Sequence, residues 1–315
     1  MHDSSGRPGW SRRTPHMKPS DIAVYVDPFS YRNEQDRLFD PSSQPDAGDN
    51  AFEPFAYLRS WLEARGIEVH TADLLRSGNG NAREVNVLIS LGRRRRSVRL
   101  AGREDVVLSG FFAFECPVVL PALYGDLHRI GERFRRVFSF TTEEAVRPFL
   151  RGPVQLTRFM LPQAWDDAHE HVWERRDREL LVMVTGNKQT RVKVNELYSE
   201  RLRAIEYFNR HGEIALYGRD WDCPPARMAS RLPRAVTRLE RRARSQWQSL
   251  RPPMDPVWAA VRQAYRGPAV DKPDTLGGYT FAICFENMIL EGWITEKIFD
   301  CFYAGASPGF YGAPA

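Results

Sequence analysis

A glutamate and a lysine begin a predicted helix near the end of the chain, in a position that can hold an anion. Glu296 and Lys297 follow Thr295, and Gly305 marks the end of the helical segment. Free amide hydrogens and the helix dipole favour anions at this end of a helix. A lysine here disfavours the helix but suits a phosphate, so the pair indicates either an anion site or a solvated surface ion pair.

The neighbouring sequence places this helix between two strands. Tyr279–Phe285 is a short apolar and aromatic run, typical of a buried strand, and residues 310–311 predict a strand after the helix. We expect Thr295 to cap the helix by accepting an amide hydrogen of its first turn. The residues expected on its buried face are Ile298, Phe299, Phe302 and Tyr303. A strand, a crossover helix and a second strand form a βαβ unit with parallel strands.

A series of motifs in this region resembles the signature of the α-1,3-fucosyltransferases, glycosyltransferase family 10. The motifs are Phe285-Glu286-Asn287, Thr295-Glu296-Lys297, Ala304-Gly305 and Pro308. Trp293 stands where the family usually has Tyr, and both rings can stack on a nucleobase. The resemblance is strong over residues 264–315, fair over 180–221 and thin before them. It implies an α/β, GT-B-like fold with two Rossmann-like domains facing across a cleft.

A second candidate for chemistry is Glu115, which follows an apolar and aromatic run over residues 111–114. Burying a carboxylate costs on the order of several kcal/mol unless it is paired or neutralised. Glu115 is therefore either a strand-end residue that faces water or a general base whose pKa is raised by its surroundings. In the resembling family a Glu-Ser-Pro-like element carries the presumed base, and Glu115-Cys116-Pro117 occupies that position.

Polar residues follow the next predicted buried strand. The loop of residues 185–188, which includes Asn187, lies where open α/β sheets bind ligands, beyond the carboxyl end of a strand. On the helix predicted next, each arginine alone is typical of a surface residue. The family, however, has an arginine there for the donor diphosphate. Counting back from Gly218 without gaps places Arg201 on that position, with Arg203 as the alternate.

The sequence Asp220-Trp221-Asp222 raises the question of a metal. Many metal-dependent glycosyltransferases use a D-x-D pattern, whose carboxylate oxygens hold a divalent ion on the sugar diphosphate. The pattern is short, and a carboxylate pair alone does not define a coordination shell. The resembling family is metal-independent, so we expect no metal or other cofactor. A metal-dependent glycosyltransferase that uses Asp220 and Asp222 is kept as an alternative.

Composition favours an anionic partner without identifying it. The 315 residues include 45 basic and 40 acidic side chains, a formal charge of +5. This charge suits a nucleotide-sugar, a membrane surface or a nucleic acid. The four arginines at residues 93–96 lack interleaved aromatic residues and are more typical of a solvated connection than of a nucleic-acid site. The sequence contains no G-x-G-x-x-G, which argues against a dinucleotide-dependent oxidoreductase.

The predicted domain organisation follows shifts in composition. Residues 1–20 are expected to be a disordered lead-in, residues 21–165 a Rossmann-like acceptor domain, and residues 179–315 a Rossmann-like donor domain. A polar connection at 164–178 joins the two domains, and an arginine-rich helix is predicted over 224–253. Animal members of the family carry an N-terminal membrane anchor that this sequence does not show, so the resemblance implies a bacterial-type member. Because the family continues beyond the Gly-Ala-Pro at residues 312–314, we expect the donor domain of this chain to be incomplete at the C-terminus.

No apolar run approaches the ~20 residues that cross a bilayer, and the first twenty residues contain no hydrophobic stretch of a signal peptide. The cysteines lack C-x-x-C spacing and are expected to be reduced. We therefore predict a cytoplasmic protein and leave peripheral membrane contact and the oligomeric state open.

The resemblance implies an inverting transfer of L-fucose from GDP-fucose to a hydroxyl of a glycan acceptor, in α-1,3 linkage. Glu115 would be the base, and Lys297 and Arg201 would neutralise the departing diphosphate without a metal. Glu296 would accept hydrogen bonds from the ribose, and Trp293 would stack near the guanine. The other donor-binding residues are Asn187, with Arg203 as alternate cation, and Glu286 and Asn287, which shape the pocket wall and position the fucose.

Two other classes of function remain open. A non-catalytic nucleotide-sugar-binding protein would bind GDP-fucose without turnover. A nucleic-acid-binding protein would show strong, steeply salt-dependent binding to RNA or DNA and no affinity for GDP. The sequence contains no recognised nucleic-acid-binding motif, so we expect no nucleic-acid partner.

Overall fold

The computed structural model describes residues 18–43, 52–75, 83–92, 95–100, 102–160, 170–212, 214–223, 225–228 and 255–314, with the single positions 236, 239, 242 and 243. Four predictions lie wholly or partly outside these residues: most of the lead-in, the first part of the arginine run, residues 164–169 of the polar connection and most of the arginine-rich helix. Within the described part of the chain, the helices are too short or too polar to cross a bilayer.

The first sheet has six strands among the described residues. They are β1 (Ile22–Asp27), β2 (Glu68–Thr71), β3 (Val85–Ser90), β4 (Val106–Ala113), β5 (Arg136–Ser139) and β6 (Leu156–Arg158). Their order in the sheet is β2-β1-β3-β4-β5-β6. β1 pairs in parallel with β2 and β3, β3 pairs in parallel with β4, and β5 with β6. The helices of this part are α1 (Glu53–Glu63), α2 (Arg95–Leu100), α3 (Pro121–Gly131), α4 (Glu143–Val146) and α5 (Glu170–Trp173).

The strands of the second half of the chain form a second parallel sheet and a short pair. They are β7 (Glu179–Val184), β8 (Lys188–Thr190), β9 (Ile214–Tyr217), β10 (Ala226–Met228), β11 (Tyr265–Gly267), β12 (Tyr279–Phe285) and β13 (Ser307–Tyr311). The larger sheet has the order β11-β9-β7-β12-β13, and β8 pairs with β10. The helices of this half are α6 (Tyr198–Asn209), α7 (Pro256–Ala264), α8 (Lys272–Gly277) and α9 (Glu296–Tyr303).

Helices cover both faces of the second sheet. Successive side chains of a strand point to opposite faces, so a strand buried on both sides is apolar throughout. Met183 of β7 and Ile283 of β12 pack with residues of α6 and α7, whereas Val182 and Ala282 pack with residues of α8 and α9. Burying each large aliphatic side chain contributes about 1.5–3 kcal/mol. This packing fixes the carboxyl ends of the strands.

The chain divides into two compact units. One comprises Met1–Gln44, Phe52–Phe112 and Glu132–Arg136, and the other comprises Pro45–Ala51, Ala113–Gly131 and Val137–Ala315. The predicted α/β class with two parallel, Rossmann-like sheets is confirmed. The predicted domain limits, 21–165 and 179–315, stay a prediction, as does the cleft expected between domains. The residues of the candidate site described below all belong to the second unit.

Secondary-structure predictions for the central region are confirmed in most details. Strand β12 has the predicted bounds, and Gly305 ends α9 with a φ of +65°. The cysteines are free, as predicted, and Cys116, Cys284 and Cys301 are buried.

Two expectations for α9 are wrong. Thr295 precedes the helix, but its hydroxyl donates to Glu286 Oε1 at 2.8 Å instead of capping the first turn, because a buried carboxylate is the stronger acceptor. Phe302 is 49% and Tyr303 38% exposed, whereas the small Cys301 is buried against the sheet. The expectation for Ile298 is confirmed, since it packs against the core beside Cys301, but the helix does not approach the sheet through Phe302 and Tyr303.

Candidate active site

A cavity of about 750 Å³ lies at the carboxyl ends of β7, β9 and β12, within the second unit. Ligands of open α/β sheets bind at this edge, and pockets for small molecules have volumes of ~300–1,000 Å³. The lining residues come from these strand ends, from α6, α8 and α9, and from the segment that follows β4. The charged side chains considered first are Glu115, Lys188, Arg201, Glu296 and Lys297.

Lys297 lies in the first turn of α9, as predicted, and three oxygen atoms fix its ammonium group. Nζ donates to Thr295 Oγ1 at 2.7 Å and lies 3.0 Å from Glu286 Oε2 and 3.3 Å from Glu296 Oε1. Burial opposes the charge of Lys297, but the two carboxylates outweigh burial and raise the pKa above its ordinary value. Lys297 is therefore a permanent cation in a defined position.

Glu286 is fully buried behind Lys297 and is absent from the cavity wall. Its Oε1 accepts hydrogen bonds from the amide and the hydroxyl of Thr295, both at 2.8 Å, and its Oε2 pairs with Lys297. Gly312 packs so closely that a Cβ there would lie 2.6 Å from Glu286 Cγ. The expectation that Glu286 shapes the wall is therefore corrected, because its contacts orient Lys297 instead.

Glu296 lines the cavity beside Lys297 and is ionised. Burial raises the pKa of this carboxyl, but the charges of Lys297 and Lys272 outweigh burial and lower it to about 2. Lys272 is itself held by the buried Asp300, whose Oδ2 lies 2.5 Å from Nζ. An ionised carboxylate in this position can accept hydrogen bonds from ligand hydroxyls, and its predicted contact with a ribose stays a prediction.

Arg201 is a buried cation whose hydrogen-bond partners are all neutral. Nη2 donates to the carbonyl oxygens of Phe285 and Glu286, both at 2.8 Å, and to Asn287 Oδ1 at 3.1 Å. Nη1 donates to Thr185 Oγ1 at 3.2 Å. Within the described residues no carboxylate forms an ion pair with this guanidinium. Burial lowers the pKa of Arg201, because removing the cation from water costs free energy that a nearby negative charge would reduce.

The structure distinguishes the two arginine candidates. Arg203 has a side chain that is 74% exposed and pairs with Glu200 Oε1 at 2.7 Å, and it does not line the cavity. A helix turns about 100° per residue, so positions two apart point in nearly opposite directions. Arg201 thus lines the cavity and Arg203 does not, and the binding of a donor diphosphate by Arg201 stays a prediction.

The two asparagines predicted to bind the donor line the cavity but have their side chains engaged in the protein. Asn287 accepts from Arg201 through Oδ1. Asn187 is buried, and its Nδ2 donates to the backbone oxygens of Asp220 at 3.0 Å and Cys223 at 2.8 Å. Both therefore hold neighbouring groups in place. Direct donor contacts from either remain a prediction.

Glu115 lies on the cavity wall, two residues after the end of β4. Tyr124 fixes its backbone by donating from Oη to the Glu115 carbonyl oxygen at 3.0 Å. Loss of hydration raises the pKa of the carboxyl above its ordinary value of 4.5, and the charges of Lys188 and then Lys297 oppose this rise. The residue also stays open to solvent, so an acceptor hydroxyl can reach it. These properties suit a general base.

Lys188 is a cavity residue that lies in the predicted ligand loop but was not selected as a site residue from the sequence. It is the first residue of β8, and its exposed side chain lines the same cavity as Glu115. Loss of hydration lowers its pKa, Glu115 raises it, and the cations Arg201 and Lys297 lower it further. The available signal was its place in the loop beyond β7, where Asn187 was selected instead.

Trp293 lines the cavity but is only 1% exposed. Its ring packs edge-on against Phe140, with the ring centroids 5.2 Å apart. Its predicted stacking on a guanine stays a prediction, and in the described conformation the ring acts as a floor for the cavity.

The fold places the two aspartates of the D-x-D segment in different surroundings. Asp220 lines the cavity with a φ of +71°, whereas Asp222 is exposed and does not. Trp221 between them is buried and donates from Nε1 to the carbonyl oxygen of Thr185 at 2.7 Å. Among the described residues no three His, Cys, Asp or Glu side chains converge as metal ligands. The dependence of any reaction on a metal is untested.

Arg96 is the member of the arginine run whose side chain the structure describes. Nη1 lies 2.9 Å from Asp27 Oδ1, and Nη2 lies 2.9 Å from Glu34 Oε1. These ion pairs belong to the first unit and favour a structural role for Arg96 over phosphate binding.

The fold and the site together define a parallel α/β protein with cations and a candidate base around one pocket. No protein-family model matches the chain, and no curated protein matches it. The structure is similar to the crystal structure of an α1,3-fucosyltransferase at 13% identity and a TM-score of 0.42, covering 93% of this chain and 68% of that one. An α1,3-fucosyltransferase crystallised with GDP-fucose is similar at 11% identity and a TM-score of 0.38, covering 95% and 70%.

Proposed function

We propose that this protein is a glycosyltransferase that transfers L-fucose from GDP-fucose to a hydroxyl of a glycan acceptor, in α-1,3 linkage and with inversion. The observation that carries the proposal is Arg201, a buried cation without a carboxylate partner among the described residues, which lines one cavity with Lys297 and Glu115. The assignment of guanosine, fucose and the α-1,3 linkage rests on the motifs around Glu286 and Lys297, which resemble the fucosyltransferase signature.

The residues of the site suit both halves of such a transfer. As the acceptor oxygen attacks the anomeric carbon, Glu115 takes the hydroxyl proton, and the bond from that carbon to the phosphate oxygen breaks. Negative charge then builds on the departing diphosphate, where Lys297 and Arg201 stabilise it. Both cations are already held in place by protein oxygen atoms, so little reorganisation accompanies the step. This scheme requires no metal.

Donor binding is tested by calorimetric titration with GDP, GDP-fucose and UDP-sugars, with and without EDTA. Replacing Lys297 alone leaves Glu286 buried and unpaired, so the informative variant is Lys297→Met with Glu286→Gln, which removes the ion pair as a whole. We expect it to bind GDP about 30- to 1,000-fold more weakly, equivalent to roughly 2–4 kcal/mol. Arg203→Ala, on the same helix as Arg201 but exposed, is the matched control and should bind normally.

Transfer is measured separately, as formation of a fucosylated glycan. Glu115→Gln should abolish transfer while retaining GDP-fucose binding. Binding of GDP-fucose by the unaltered protein without any turnover would instead identify a non-catalytic nucleotide-sugar-binding protein. Loss of binding or transfer in EDTA would favour the metal-dependent alternative at Asp220. Failure of every nucleotide to bind would overturn the proposal.

A further inference from the structure

Three of the basic residues that line the cavity, Lys188, Arg201 and Lys297, differ in how firmly the protein holds them. Arg201 and Lys297 each make several hydrogen bonds or ion pairs with protein oxygen atoms. The ammonium group of Lys188 makes no hydrogen bond or ion pair within the described part of the chain, and its residue is exposed. A lysine on a flexible four-carbon stem can therefore move in response to a ligand charge.

Charged groups on several elements surround Lys188 and Glu115. Glu115 attracts Lys188, Arg201 of α6 and Lys297 of α9 repel it, and Glu296 attracts it more weakly than Glu115 does. Glu115 is in turn influenced by Lys188 first, then by Lys297 and Glu296. With no ligand present, the carboxylate of Glu115 is thus the main attraction for the Lys188 ammonium group.

A buried hydrogen bond keeps these two residues in the same part of the cavity. Thr190, at the end of β8, donates from Oγ1 to the carbonyl oxygen of Val118 at 2.7 Å. Lys188 is two residues before Thr190, and Glu115 is three residues before Val118, so the bond joins their two segments. The Tyr124 hydroxyl also holds the Glu115 backbone. The backbones are therefore fixed while the Lys188 side chain remains free to move.

We propose that the ammonium group of Lys188 is shared between the Glu115 carboxylate and the diphosphate of the donor, and that donor binding draws it away from Glu115. The proposal rests on the donor binding proposed above. Arg201 and Lys297 repel Lys188 in the empty cavity, and the negative charges of a diphosphate between these cations reverse that repulsion.

The consequence is a base whose strength depends on the donor. Removing a neighbouring cation raises the pKa of a carboxyl, and the added negative charge of the donor acts in the same direction. Glu115 therefore becomes a stronger base once the donor is in place. Because the base strengthens only after the donor binds, the donor should bind before Glu115 removes the acceptor proton.

The test is a double-mutant cycle on GDP-fucose affinity, measured by calorimetry at one pH for the unaltered protein, Lys188→Met, Glu115→Gln and the double variant. Lys188→Met should weaken binding about tenfold, the equivalent of one pKa unit. Glu115→Gln frees Lys188 and should tighten binding about tenfold. In the Lys188→Met background the same change should tighten binding only about twofold to threefold, because no shared cation remains to be released.

Matched controls separate charge from structure. Lys188→Arg should restore most of the affinity and the coupling to Glu115, because it keeps the cation. Lys193→Met changes a nearby lysine that is 60% exposed and lies outside the cavity, and it should leave GDP-fucose affinity unchanged. Equal tightening by Glu115→Gln in both backgrounds would overturn the sharing of Lys188. Absence of GDP-fucose binding by the unaltered protein would instead overturn the proposed function.

A second readout is the proton uptake that accompanies GDP-fucose binding, obtained from titrations in buffers of different ionisation enthalpy. A donor that raises the pKa of Glu115 must bind together with a fraction of a proton near that pKa. We expect uptake by the unaltered protein, less uptake by Lys188→Met and none by Glu115→Gln. A purely structural role for Lys188 would leave the uptake unchanged in Lys188→Met, and that result would contradict the proposal.

Discussion

Arg201 and Arg203 show how differently a fold can place two similar residues on one helix. Arg201 is 5% exposed and donates to backbone oxygens at the end of β12, whereas Arg203 points into solvent and pairs with Glu200. Burying a cation among neutral acceptors is unfavourable for the isolated protein. The neighbouring sequence cannot reveal this difference, because both arginines stand among apolar positions. What distinguishes Arg201 in the fold is that no carboxylate of the described residues forms an ion pair with it.

The pH dependence of transfer tests the role of Glu115. A base acts in its unprotonated form, so kcat/KM should rise with pH through the pKa of this carboxyl, which lies above its ordinary 4.5. Because Lys188 lowers that pKa, Lys188→Met should move the rising limb to higher pH. Transfer rates measured from pH 4 to 9 would show both effects. A limb at or below 4.5, or one that Lys188→Met leaves in place, would contradict this assignment.

Sequence reasoning found the fixed residues of the site more readily than the free one. Lys297 stands in a motif at a helix start, and counting back from Gly218 places Arg201 on the arginine of the resembling family, so the resemblance selects both. Lys188 belongs to a polar loop that has no periodicity and no cap. Its importance arises from the place of Glu115, which is 73 residues earlier in the chain and comes near only in the folded protein.

At the scale of elements, α9 shows where periodicity misleads. The aromatic residues of the helix were expected to face the sheet, yet Phe302 and Tyr303 are exposed. Asp300 is buried instead, because Lys272 of α8 pairs with it. An apolar pattern records which residues can be buried, but neighbouring elements decide which face is covered. The bounds of β12 were predictable because its apolar run is continuous.

The turn after β9 offers a test of the element that builds the cavity edge. Gly218 has a φ of +141°, and a Cβ there would lie 1.9 Å from the carbonyl oxygen of Thr185. Gly218→Ala should therefore lower the free energy of unfolding by about 3 kcal/mol. Gly212 has a φ of +72° and no atoms within 4 Å of such a Cβ. As a matched control, Gly212→Ala should cost only about 1 kcal/mol.

Urea unfolding of both glycine variants measures the difference. If the close approach of the two loops decides the cost, Gly218→Ala has the lower midpoint and also weakens GDP binding, because the loop after β7 must move. Equal losses of unfolding free energy at the two positions would mean that backbone conformation alone decides the loss. The backbone around Thr185 would then shift at little cost to accommodate the added methyl group.

At the scale of the whole molecule, the α/β class was within reach of the sequence, but the arrangement of strands was not. Each strand is a short apolar run, and helices with one apolar face separate most of them, which is typical of parallel sheets. The order β11-β9-β7-β12-β13 joins residues far apart in the chain, such as Val182 and Ala282, which pair in parallel. No local pattern encodes such a pairing, because it depends on packing against helices on both faces.

The net charge of +5 gives the last prediction, which separates a nucleotide-sugar site from a nucleic-acid surface. A nucleic-acid-binding protein that contacts six to ten phosphates loses about 10³–10⁵ in affinity between about 50 and 200 mM salt. A nucleoside diphosphate held in a cavity by Arg201 and Lys297 carries few charges, and partly buried charges are screened less. GDP-fucose affinity should therefore fall by less than about tenfold over that range. Calorimetry with GDP-fucose and fluorescence anisotropy with a labelled single-stranded RNA provide the comparison. Tight, steeply salt-dependent RNA binding that displaces GDP-fucose would show that the charge serves a nucleic acid and that the cavity is not a donor site.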